Sequence, residues 1–144
     1  MNYHELVQMY FERSVALQWY WTVYVLVIGG VLGFSTFRQR PELVITFLVT
    51  VLYAAFAYKN LGAIEATAEE RESMLSALKA YPASGPNAAD INRVRDKLEP
   101  KMSEYDIAGA RYFHVACDVL TIAFLWVKEW RRRKPELPPV TAAT

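Results

Sequence analysis

Apolar residues gather into three long runs separated by charged segments: Leu17 to Phe37, Leu43 to Tyr58 and Tyr112 to Trp130. A hydrocarbon core about 30 Å thick is crossed by roughly 20 helical residues, and about 17 still suffice. The first and third runs meet that requirement comfortably, and the second just reaches it. The pattern therefore predicts an all-α integral membrane protein whose three transmembrane helices run up-down-up, over about residues 17–37, 42–58 and 112–130.

Aromatic residues mark the ends of the runs. Trp19, Tyr20, Trp21 and Tyr24 open the first, Tyr53, Phe56 and Tyr58 close the second, and Tyr105, Tyr112 and Phe113 open the third. Because the chain reverses at each crossing, all three clusters fall on one side, here side A. Phe37, Trp126 and Trp130 mark the opposite side, B. Such paired belts are where amphipathic rings settle at headgroup level.

Between the first two runs lies only Arg38-Gln39-Arg40-Pro41-Glu42, short enough to force an antiparallel hairpin, with Pro41 expected in the first turn of the second helix. Helical spacing continues beyond the runs on side A. Tyr3, Leu6, Val7, Tyr10, Ser14 and Leu17 form one stripe, and Leu61, Ile64, Ala68, Leu75 and Leu78 a second. Ile91, Val94, Leu98, Met102 and Tyr105 form a third. These stripes predict amphipathic extensions of the three helices, packed as a small extramembrane bundle on the N-terminal side, with residues 59–111 its main part. Water drives such stripes together, whereas lipid supplies no hydrophobic drive between spans. The mixed charges of Glu69-Glu70-Arg71-Glu72 and Arg93-Val94-Arg95-Asp96-Lys97 read as solvated faces.

Pro82-Ala83-Ser84-Gly85-Pro86-Asn87 breaks the pattern, and Asn87 with Asp90 marks a helix start. Pro100 predicts a kink or short break. Residues 1–134 are expected to form one membrane domain, followed by a proline-rich, disordered tail over 135–144.

Composition adds limits. The net charge of +1 argues against nucleic acid as a partner. Arg131, Arg132, Arg133 and Lys134 follow a span directly and are expected to contact lipid headgroups. By raw count the two sides carry nearly equal basic charge. Local density at Arg38, Arg40, Lys128 and the terminal run favours side B as cytoplasmic, hence N-out and C-in, in a bacterial inner membrane. The N-terminus lacks a basic region and a small-x-small site, so no cleavable signal peptide is expected. The single Cys117 excludes an intrachain disulfide and reads as an inert thiol.

Candidate chemistry centres on Asp118, about one turn from the middle of its run. A carboxylate at such depth costs about 2.5–3.5 kcal/mol on insertion scales, so it should face protein or water. Arg111, His114 and Thr121 share its helix face. Gln18, Thr22, Gly29, Gly33 and Thr36 are expected as a matching seam on the first helix, and Thr46, Thr50, Tyr53, Ala54 and Ala57 on the second. Gly29, Gly33 and Ala54 would permit close helix packing. Three readings follow. The seams satisfy one another as an internal network, they line an ion path in a homo-oligomer through Arg111, His114, Asp118, Thr121, Thr50 and Thr22, or they form a site for a ligand or partner helix.

Enzymatic readings are thin. His114, Cys117 and Asp118 lie on one helix and cannot surround a substrate, and His4 is too distant to complete a metal site. No catalytic residue, metal or cofactor is expected. The expected function is that of a non-enzymatic membrane protein whose bundle binds a partner or self-associates. A homo-oligomeric pore or membrane-disrupting effector is the alternative.

Overall fold

The computed structural model describes residues 2–83, 88–98, 102 and 104–133. Four helices follow in order: α1 (Tyr3–Phe37), α2 (Leu43–Ala80), α3 (Ala88–Leu98) and α4 (Ile107–Arg133). The described residues contain no strand. Three of the helices, α1, α2 and α4, are long and apolar enough to cross a membrane. The expected tail over 135–144, Lys134, Asn87 and Pro100 lie outside the described residues.

A capping box starts α1. The Asn2 side chain accepts from the Glu5 backbone at 2.8 Å, and Glu5 accepts from the Asn2 backbone at 2.8 Å. The link to α2 is residues 38–42, as the hairpin requires. Pro41, however, precedes the first turn of α2 rather than occupying it. Glu42 is extended, with φ −144° and ψ 96°, so the helix begins only at Leu43.

The third long helix is not continuous. The stripe through Ile91 and Leu98 belongs to a separate short helix, α3, and Tyr105 lies in the connection. Asp106 then starts α4: its carboxylate accepts the Gly109 N–H at 2.9 Å and its carbonyl the Ala110 N–H at 3.0 Å.

The apolar stripes of the N-terminal end pack as expected. Tyr3, Leu6 and Tyr10 meet Leu75, Leu78 and Met102, with Ile91 and Leu98 of α3 covering them. Nearer the apolar stretches, Leu17, Ile64 and Ala68 form a second cluster beside Trp21 and Tyr105. Further along, α1, α2 and α4 bury little apolar surface against one another. Val25, Leu26, Val44, Leu52, Val119 and Leu120 are all exposed. Large exposed apolar patches mark contacts with a partner or a membrane.

Candidate functional site

Two polar nodes join the three long helices. Asp118, on α4, is the centre of the first. Its Oδ1 accepts from the Tyr53 hydroxyl of α2 at 2.7 Å and the Tyr24 hydroxyl of α1 at 2.9 Å. Its Oδ2 lies 2.9 Å from Nδ1 of His114, one turn back on the same helix. His114 is completely buried, stacked on Tyr24 with ring centroids 3.9 Å apart. Its Nε2 faces the Asn60 amide nitrogen at 3.4 Å. With the amide nitrogen donating there, Nε2 accepts and Nδ1–H donates to Asp118. One carboxylate thus collects three donors from three helices. The Asp118 side chain is 19% exposed.

The second node lies toward the other end of the apolar stretches. Glu129, near the C-terminus of α4, is 2% exposed. It accepts from Arg38 at 2.5 Å and from the Thr46 hydroxyl at 3.0 Å through Oε2, and from Arg133 at 2.9 Å through Oε1. Arg132 lies 3.9 Å from Glu129 and also donates to the Ser35 carbonyl, tying α4 to α1. Arg38 is the C-cap of α1 and Thr46 lies in the first turn of α2. This node therefore fastens the turn of the hairpin to α4.

A third cluster sits at the N-terminal end. Arg71 donates to the Ser14 hydroxyl at 2.9 Å and the Tyr10 hydroxyl at 2.5 Å, its guanidinium 4.7 Å from the Tyr10 ring centroid. It interrupts the buried stripe of α2 between Ala68 and Leu75.

The expected seam residues are distributed unevenly. His114, Asp118 and Thr121 turn toward the other helices, and Thr121 also donates to its own helix at Cys117. Tyr53, Thr46 and Ala57 are buried on α2. Thr50 is half-buried, its hydroxyl held by the Thr46 carbonyl at 2.8 Å. Arg111 stands apart: it is 57% exposed and pairs with Glu65 of α2 at 2.5 Å. Thr22 is exposed and donates to Gln18, and Thr36 does the same to Leu32. Ala54 and Gly29 are exposed, and among the described residues a methyl group at Gly29 or Gly33 would meet nothing within 4 Å beyond its chain neighbours and the adjacent backbone of its own helix.

The face that α1 turns inward is instead Tyr10, Leu17, Tyr24 and Ser35. Threonine can return its hydroxyl to the carbonyl four residues back and so tolerate an outward position. Tyr24 has no such local acceptor, and its hydroxyl must cross to α4. Of the residues expected at headgroup level, Arg132 and Arg133 are engaged by Glu129 or Ser35, whereas Arg131 is exposed.

Glu129 was hidden in the sequence by its three following arginines. Its position three and four residues before Arg132 and Arg133 was the available signal, with Arg38 expected on the same side. Asn60 lay just beyond the second apolar run and offered no signal of its own. Among the described residues no group of three or more His, Cys, Asp or Glu side chains could hold a metal ion. Compared with protein-family models, curated proteins and solved structures, the chain matches none of them, so its function has to be read from its own geometry.

Proposed function

We propose that this is a non-enzymatic, multi-pass integral membrane protein in which three spans carry a helical bundle that docks a partner protein or a second copy of the chain. The observation that supports this best is where its polar groups go. Asp118 and Glu129 are both consumed by donors of their own chain. The spans then form a stand whose acids Asp118 and Glu129 are satisfied within the chain. The bundle end, by contrast, keeps an open groove of about 490 Å³, lined by Asn2, Tyr3, His4, Val7, Tyr81, Asp90, Ile91 and Val94. The pore alternative needs polar side chains turned toward neighbouring copies, and the inward placement of His114 and Asp118 weighs against it. The arginine-rich end with Arg38 and Arg131 faces the cytoplasm in this reading, which makes the chain N-out and C-in.

A photoreactive residue at Val7 or Val94, in the full chain in its own membrane, tests the docking role. Discrete adducts are expected, of dimer mass or of one partner, with none from the exposed Leu48 on α2. Unlinked chain at both groove positions would overturn the reading. Ion flux in liposomes abolished by Asp118→Asn would favour the pore instead.

A further inference from the structure

The apolar stretches of α1 and α4 run in the same direction and leave a groove between them. It measures about 480 Å³ and is lined by Leu32 of α1 and by Leu120, Thr121, Ala123, Phe124 and Val127 of α4. On α1, Leu32 stands between Gly29 and Gly33, which contribute no side chain to fill the space. One helical turn past Phe124 and Val127, on the same face of α4, come Lys128 and Arg131. The Lys128 ammonium lies 5.8 Å from the Phe124 ring centroid, over the end of the groove.

The neighbouring cations are occupied. Glu129 holds Arg38 and Arg133, while Arg132 bridges to Ser35. Lys128 and Arg131 meet no carboxylate among the described residues. An apolar trough capped by two cations without an acidic counterpart matches one kind of ligand: a long chain ending in an anion.

Resting on the membrane reading above, we propose that this groove holds an acyl chain of one anionic phospholipid, its phosphate seated between Lys128 and Arg131. Two features favour a lipid over a partner helix. The walls are almost wholly apolar, and the cations stand only at the end that the aromatic and basic residues assign to the headgroup layer. The Glu129 node gives the site its shape by holding α4 against Ser35 and Arg38.

The test uses the full chain in nanodiscs of mixed phosphatidylcholine and phosphatidylglycerol, with native mass spectrometry counting the lipids that stay bound. Wild type is expected to retain one phosphatidylglycerol in preference to phosphatidylcholine. A basic side chain near the surface changes anionic-lipid binding by about five-fold. Lys128→Gln with Arg131→Gln should therefore reduce retention by more than ten-fold. Ala123→Trp fills the groove, leaves every charge in place, and should evict the lipid as well. Arg40→Gln, on the hairpin turn of the same side, should leave it bound. No preference in wild type, or an equal loss in Arg40→Gln, would overturn the site while leaving the membrane reading intact. A chain that never enters the nanodisc would overturn the membrane reading, and the site with it.

Discussion

Replacing Asp118 separates a structural network from a passive polar residue. Asp118→Leu takes the acceptor from three donors: the Tyr24 hydroxyl keeps the His114 carbonyl at 3.0 Å, whereas the Tyr53 hydroxyl and His114 Nδ1 lose the one acceptor described for them. Hydrogen bonds between helices in membranes average about 0.6 kcal/mol and reach about 1.7 kcal/mol. The two bonds lost outright sum to about 1–3 kcal/mol on that scale, and their charge-assisted character favours the upper half. The unfolded reference matters too. In a micelle the separated α4 already holds its carboxylate, so the insertion cost does not offset the loss on folding. Asp118→Asn behaves differently. Its carbonyl still accepts from both tyrosines, and its amide donates to Nδ1 once the imidazole switches tautomer and the Asn60 amide turns over. That variant should lose about 1 kcal/mol. The assay is equilibrium unfolding in mixed micelles followed by tryptophan fluorescence. A second substitution sharpens it. Tyr53→Phe should destabilise wild type but stabilise Asp118→Leu, because it removes an orphaned hydroxyl. If Asp118→Leu is as stable as wild type, or Tyr53→Phe has the same effect in both backgrounds, the network does not hold the helices together.

Other substitutions probe the remaining contacts. Glu129→Ala strands Arg38 and Arg133 and should cost about 3 kcal/mol, as loss of one partner in a buried pair does; urea or thermal unfolding in detergent reads it. Tyr10→Phe removes a hydroxyl that accepts from Arg71. It should cost about 1–3 kcal/mol. Arg13→Ala breaks only an exposed pair with Glu70 and should cost less than about 1 kcal/mol; the ordering of those two in one unfolding series is the check. Gly29→Ala with Gly33→Ala meets open space within the chain. Those changes should leave monomer stability unchanged or raise it by up to about 1 kcal/mol per site. A fall in oligomer mass on light scattering would instead assign that face to self-association. A C-terminal reporter active only outside the cytoplasm should stay silent, and activity would reverse the topology.

Much of the architecture was legible because its signals are strong and local. The hairpin turn needed only the five residues from Arg38 to Glu42 between two apolar runs. On α4 the spacing of His114, Asp118 and Thr121 placed them on one face, and burial of a carboxylate supplied the reason for that face to turn inward. The inward face of α1 was harder to read. Small and hydroxyl-bearing residues suggested Thr22, Gly29 and Gly33, but threonine satisfies itself on its own helix and glycine demands no partner. Tyr24 reads in the sequence as part of an aromatic belt, although a buried phenol with no local acceptor has to find a distant one. Arg111 followed the spacing of the seam yet lay close to Glu65, and an available carboxylate at the wetter end drew it away. Glu129 shows the limit of reading charge as a run: three arginines dominated the pattern, whereas the acid before them organises it.

The most direct measurement is an oxygen-accessibility scan of α4 in liposomes, with single spin labels placed from residue 112 to residue 130 after removal of Cys117. Helices bathed by lipid on one side should give a period of about 3.6 residues. Positions 114, 118, 121 and 125 should fall at the minima, and positions 115, 119 and 120 at the maxima. A profile with its maximum at position 118, or one in which a water-soluble relaxant reaches every position equally, would contradict a lipid-embedded bundle closed around Asp118.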